Sequence, residues 1–303
     1  MHPVAPADTV AIRAELRHAL EASRNADGGW AYHAAKRSRI EPTCWGLLAL
    51  AQADNRAPQT DVFGIWPAND GVLHEVSGAP ANHAFNALAA LTFLLAAPDS
   101  ATAAAILRRI VASKGIAVPN IGHQRQDNSL QAWSWVDDTF SWVEPTAWCL
   151  MALKQALARA PVPGADPRIE VAERMLVDRA CHGGGWNYGN SNVYGQNLSP
   201  YVPTTALALL ALQDRPGERA VHAGLDWLQQ NALTERSAVA LSLSIICLRV
   251  CGRSTALVEE GLLELLEDRR GYGGRDLLGT AMALYALTGR RMAAFALGTR
   301  RGA

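Results

Sequence analysis

Two kinds of helical segment alternate along the chain. One is amphipathic, with apolar residues at three- and four-residue spacing and charges between them; the other is so rich in Ala and Leu that it lacks a polar face. The first kind is read in TVAIRAELRHALEA after Asp8, ATAAAILRRIVASK, PRIEVAERMLVDRA, ERAVHAGLDWLQQN and TALVEEGLLELLEDRR. The second is read in EPTCWGLLALAQA from Glu41, NHAFNALAALTFLLAA from Asn82, EPTAWCLMALKQAL, VPTTALALLALQ, TERSAVALSLSIICLRV and DLLGTAMALYAL. Gly- and Trp-rich turns separate them: DGGWAYH at 27–33, CHGGGWNYGN at 181–190 and GYGG at 271–274. Such turns supply the positive φ that ends a helix, while Pro42 suits a helix's first turn. The second unit is degenerate, with FGIWPANDG at 63–71 in place of a clear amphipathic helix. Thr234 is placed to cap the helix of the fifth unit. No stretch alternates convincingly as a strand.

Helices buried all round need neighbours on every side, and amphipathic ones need a single apolar contact. Wrapping the apolar set into an inner ring and the amphipathic set into an outer one satisfies both. The expected fold is therefore all-α, an (α/α)6 toroid of six helical hairpins, forming one domain over residues 1–303. An open solenoid would end in polar capping helices. The last helix here, TAMALYAL, is as apolar as the middle ones, which favours closure.

Composition narrows the class. The chain has 303 residues, 49% of them hydrophobic, enough for a large core. Lys plus Arg and Asp plus Glu are both 28, so no net field gathers nucleic acid or an anionic membrane. The start, MHPVAPADTVAIRAEL, lacks the basic and apolar regions of a signal peptide, and no window is long and apolar enough to span a bilayer. A cytoplasmic location is expected, with peripheral membrane contact left open. Five cysteines without a CxxC pair suit reduced core thiols.

The stretch QAWSWVDDTFSWVEPTAWCLMAL, 131–153, holds four of nine tryptophans and three carboxylates. Trp133, Trp135, Trp142 and Trp148 lie around Asp137, Asp138 and Glu144, a pattern that suggests an aromatic cavity with acidic groups at its rim. Comparing the internal copies separates helix-starting residues from others. Pro-Thr recurs in EPTCW, EPTAW and VPTTA, but the glutamate does not, since Val202 stands before that proline in the fourth unit. Glu41 and Glu144 are then free for chemistry or for the helix dipole, worth roughly 0.3–1 kcal/mol. Trp45 and Trp148 follow Pro-Thr at one offset and either face a shared centre or fill the core. The uncharged loop from Asn187 to Tyr201, with Tyr188, Tyr194 and Tyr201, has the length of a lid. His33, His83 and His123 are read as hydrogen-bonded structural residues.

The turns DGGW (27–30), AWSW (132–135), GGGW (183–186) and GYGG (271–274), each between an outer and an inner helix, resemble the Gln-Trp repeats of squalene and oxidosqualene cyclases. The whole set is similar to the α/α toroids that those enzymes share with class II terpene cyclases and protein prenyltransferase β subunits. Gln131 is well placed for such a repeat; units one, four and six lack a clear glutamine. The resemblance implies an isoprenoid or similar apolar substrate in an aromatic-lined cavity, with no cofactor. The cyclases' Asp-x-Asp-Asp-Thr-Ala acid motif is incomplete here, with Glu144 aligned in one register and Asp137 and Asp138 in another. The resemblance thus implies Glu144, Asp137, Asp138 and Glu41 as candidate acids. It implies Trp30, Trp45, Trp135, Trp142, Trp148, Trp186, Tyr188 and Tyr201 as candidate substrate contacts. The prenyltransferases bind zinc through Asp, Cys and His; Cys181 and His182, with Asp276 and His123 at a distance, do not reproduce that set, and no metal is expected. Two rivals stay open: a non-catalytic toroid that carries a lipid or docks a protein, and a prenyltransferase-like subunit that needs a partner chain.

Overall fold

The computed structural model describes residues 6–68, 70–119, 125–268, 276–289 and 292–297. The turn at 271–274 and His123 lie outside the described residues. Eleven α-helices are described: α1 (Pro6–Ala22), α2 (Ile40–Ala53), α3 (His83–Ala96), α4 (Ala101–Ala112), α5 (Val143–Leu157), α6 (Ala165–Asp178), α7 (Val202–Ala211), α8 (Arg219–Asn231), α9 (Ala238–Val250), α10 (Ala256–Glu267) and α11 (Leu277–Thr288). The described residues are all-α apart from one antiparallel hairpin of two-residue strands, β1 (Asn192–Val193) and β2 (Gln196–Asn197), inside the loop read as irregular. The 3-10 segment Asp61–Ile65 stands where the second unit lacks an amphipathic helix.

Burial follows the two sequence patterns. Amphipathic α4 buries only Ala103, Ile106, Leu107 and Ile110, a stripe at helical spacing, whereas α2 buries everything from Pro42 to Ala51. The apolar helices touch in sequence: α2 packs on α3, α3 on α5, α5 on α7, α7 on α9, α9 on α11, and α11 on α2. The amphipathic helices pack outside them, α4 on α3, α6 on α5, α8 on α7, α10 on α9, and α1 on α11. Each therefore leans mainly on the apolar helix that precedes it, with α1 treating α11 as its predecessor.

One device anchors three of the turns. The indole of Trp30 donates to the Leu20 carbonyl at 2.7 Å, that of Trp133 to Ile110 at 2.8 Å, and that of Trp186 to Leu176 at 2.6 Å, each near the end of the preceding amphipathic helix. The backbone of each tryptophan is clamped by a threonine of the next apolar helix. Thr43 takes the Trp30 N–H at 2.9 Å, Thr146 that of Trp133 at 3.2 Å, and Thr205 that of Trp186 at 2.9 Å. In the second unit Asn86 does the same for Leu73, accepting at 2.8 Å and donating at 3.0 Å. Gly185 belongs to this device: its φ is +78°, and a Cβ there would sit 2.9 Å from Thr205 Oγ1.

The clamp corrects the register read from the sequence. The counterpart of Thr43 and Thr146 is Thr205, not Thr204, so Pro203 rather than Val202 stands opposite Glu41 and Glu144, and Leu207 opposite Trp45 and Trp148. The expected cap of α9 is also corrected. Ser237 accepts from the Ala240 N–H, while Thr234 bonds back to the Asn231 carbonyl.

Candidate functional site

The first turns of several apolar helices are stitched sideways to neighbouring turns. Leu277 N donates to the Tyr32 carbonyl at 2.9 Å, His83 N to Trp135 at 2.9 Å, and Val143 N to Tyr188 at 3.1 Å. Ile40 N donates to the Glu75 carboxylate at 2.8 Å. Tyr32, Trp135 and Tyr188 each lie two residues after a turn tryptophan, and Glu75 two after Leu73. The signal for these bonds is the Trp-x-aromatic spacing in WAY, WSW and WNY, which hydrophobic periodicity alone does not single out.

Glu41 and Glu144 occupy equivalent second positions of α2 and α5. Both are surrounded by protein on nearly all sides yet keep a partly wetted surface. Burial pushes the Glu41 carboxyl up to about 7, helped by the charges of Glu75 and Asp276 and opposed by the Tyr32 hydroxyl, which donates to Oε2 at 2.6 Å. Burial also pushes Glu144 up to about 7, and the charge that adds to it is that of Glu41. Among the described residues nothing hydrogen-bonds to the Glu144 carboxylate. Each glutamate therefore holds its proton into the neutral range.

The aspartates are placed differently. Asp137 is 46% exposed in its side chain and pairs with Arg109, with His83 Nε2 at 3.3 Å from its Oδ1. His83 is buried, its Nδ1 lies 3.1 Å from the Ser134 carbonyl, and burial lowers its pKa. Asp138 is exposed on a turn with φ +60°.

The aromatic candidates divide into three groups. Trp30 and Trp186 are fully buried and anchored through their indole N–H groups, as is Trp133, so they belong to the frame and present no surface to a ligand. Arg24 lies over the Trp30 ring at 4.9 Å and Arg168 over Trp133 at 4.6 Å, filling the stacking place that the resemblance gives to glutamine. Trp45 and Trp148, read as facing a shared centre or filling the core, do the second: they pack 6.3 Å apart, with Tyr285 5.8 Å from Trp45. Phe295 fills the space between them, 5.1 Å from Trp45 and 6.0 Å from Trp148. The segment carrying Phe295 is held by glutamines at the far ends of three apolar helices. Gln155 donates to Ala296 O at 2.7 Å and Gln213 to Phe295 O at 2.8 Å, while Gln52 donates to the Tyr285 carbonyl at 2.9 Å beside it.

The third group is accessible. Trp135, Trp142, Phe140, Ile116 and Tyr188 line an open, mainly apolar groove of about 600 Å³, with Asp138 at its edge. Trp135 meets Phe85 edge-on at 6.4 Å, and Tyr188 packs against Tyr201 at 5.0 Å. Tyr194 projects fully into solvent from the hairpin tip. Because Val143 bonds to Tyr188 and Trp142 immediately precedes α5, the groove borders the helix turn that carries Glu144.

Cys181 is buried, with its thiol pKa raised by burial, and Asp276 caps α11 by accepting from Leu278 and Gly279 N–H at 3.0 Å. His33 and His182 are exposed. Among the described residues no group of three or more His, Cys, Asp or Glu is placed to hold a metal, and no helix is long and apolar enough to cross a membrane. No protein-family model matches the chain, and a search of curated proteins finds no match.

Proposed function

We propose that the chain is a single α/α toroid with an inner ring of α2, α3, α5, α7, α9 and α11, and that it binds an apolar, isoprenoid-like molecule in the groove of Trp135, Trp142, Phe140 and Tyr188. The unbroken cycle of helix contacts supports the closed architecture, as does the bond from Leu277 in the last helix to Tyr32 in the first turn. Glu144 and Glu41 act as a proton-handling pair. The observation that carries this reading is two half-hidden carboxyls raised to about 7 at equivalent positions in the first turns of α2 and α5, the Glu144 turn bordering the aromatic groove.

Such carboxyls suit an isomerase-like proton transfer at neutral pH, where protonated and ionised forms coexist. They suit the initiation of cyclisation less well. Protonating an isolated double bond calls for a strong acid, and desolvation has made these weaker than free glutamate. The filled space around Phe295 favours, as a second reading, a non-catalytic carrier of the same kind of molecule.

The test is incubation of the full chain with squalene and with prenyl alcohols, followed by analysis of the recovered lipid. Turnover that disappears in Glu144→Gln supports the catalytic reading. Unchanged lipid that copurifies with the parent and with Glu144→Gln alike supports the carrier. Turnover that survives intact in both Glu144→Gln and Glu41→Gln overturns the acid assignment.

A further inference from the structure

We infer that the groove continues into a polar compartment that takes a neutral hydroxyl or amide head, so that the preferred ligand is an uncharged amphiphile rather than a bare hydrocarbon or a diphosphate. This rests on the apolar-ligand reading above.

A second pocket of about 270 Å³ shares Ile116, Phe140 and Trp142 with the groove. Its other wall is polar and includes Gln126, Ser141, Asn190 and Arg179. Two of these residues have unmet hydrogen-bonding groups, since among the described residues Gln126 Oε1 and Ser141 Oγ are both buried without a partner. Leaving such a group unsatisfied costs on the order of 1–3 kcal/mol, and two in one pocket wall point to a ligand that completes them. The orientation of the Gln126 amide is fixed by its surroundings. Its nitrogen faces two acceptors, Asn128 Oδ1 at 3.0 Å and Asn190 Oδ1 at 3.1 Å, so the orphan atom is the carbonyl oxygen, which needs a donor.

A hydroxyl or a primary amide brings that donor and also accepts from the Ser141 hydroxyl; a diphosphate only accepts and would leave Gln126 unmet. Nor do the described residues of the wall supply a free cation. Arg179 lines the pocket, but its guanidinium is already bonded to Asp178 at 2.8 Å and to the Asp127 carbonyl at 3.1 Å. Trp142 and Phe140, common to both spaces, lie where a chain would pass from one to the other.

The test titrates the full chain with three probes that share one tail, farnesol, farnesene and farnesyl diphosphate, by calorimetry. Farnesol is expected to bind about tenfold more tightly than farnesene, a difference of about 1.4 kcal/mol, and at least as tightly as the diphosphate. Ser141→Ala and Gln126→Leu are each expected to shrink the alcohol-over-hydrocarbon ratio severalfold while leaving farnesene affinity unchanged. Tyr188→Ala, which alters the groove alone, is expected to weaken all three probes together. Equal binding of alcohol and hydrocarbon, a ratio unmoved in Ser141→Ala, or preference for the diphosphate overturns the polar compartment while the apolar groove stands. Failure of all three probes to bind overturns the groove and the compartment together.

Discussion

The two ends of the apolar helices use similar residues to opposite effect. At their first turns Trp135 and Trp142 keep accessible faces, and Glu41 and Glu144 carry carboxyls raised to about 7. One turn further along α2 and α5, Trp45 and Trp148 are 1% and 5% exposed, closed over by Phe295, and at the other end glutamines rather than glutamates grip the backbone of the Phe295 segment. A neutral amide can be buried when both its donor and its acceptor are matched, as in Gln155, which also accepts from the Arg159 guanidinium at 2.7 Å. A carboxylate in comparable surroundings holds its proton instead. Glu41 has the Tyr32 hydroxyl as its hydrogen-bond donor, and Glu144 has none among the described residues.

The largest expected effect tests this contrast in packing. Phe295→Ala should cost about 3–5 kcal/mol by removing a buried ring from an aromatic cluster. Trp142→Ala, at the accessible end, should cost well under half of that when both are followed by chemical denaturation. Equal losses would erase the distinction between the ends. Next in size is the clamp. Thr205→Val leaves the Trp186 N–H without its acceptor and should cost about 1–3 kcal/mol, whereas Thr204→Val should cost clearly less. The reverse order would restore the register suggested by the repeated Pro-Thr.

The smallest effect concerns pH. A glutamate that ionises near 4.5 when unfolded and near 7 when folded binds more protons in the folded state between those values, so stability falls as pH rises across that window. Glu144→Gln should flatten this part of the profile, matching the parent near pH 4 and exceeding it at pH 8 by on the order of 1 kcal/mol. A profile that keeps its full slope in both Glu144→Gln and Glu41→Gln would remove the basis for the pair.

The helices were legible in the sequence because burial on all sides leaves a compositional mark: Ala- and Leu-rich runs became α2, α3, α5, α7, α9 and α11, and striped runs became the helices packed on them. The turn tryptophans were visible too, but their roles were not, since an indole in a frame and one in a groove are written with the same letter. Trp30 and Trp186 were expected to touch substrate, and only their bonds to Leu20 and Leu176 show them as anchors. The Thr204 and Thr205 ambiguity has a similar origin. Adjacent threonines are equivalent in a linear pattern, and it takes the three-dimensional clamp to choose between them. Phe295 had no local signal, because its place depends on Trp45, Trp148 and Tyr285, which are far away along the chain. Comparing copies singled out Glu41 and Glu144, but the hydroxyl of Tyr32 and the carboxylate of Glu75, which surround Glu41, had no signal in that comparison.

The aromatic stopper around Phe295 has a consequence for traffic. With Phe295 packed against Trp45 and Trp148, a molecule held as proposed in the groove would have one approach to the Glu144 turn, past Trp135, Trp142 and Tyr188. If it were converted there, its exit would compete directly with entry of the next.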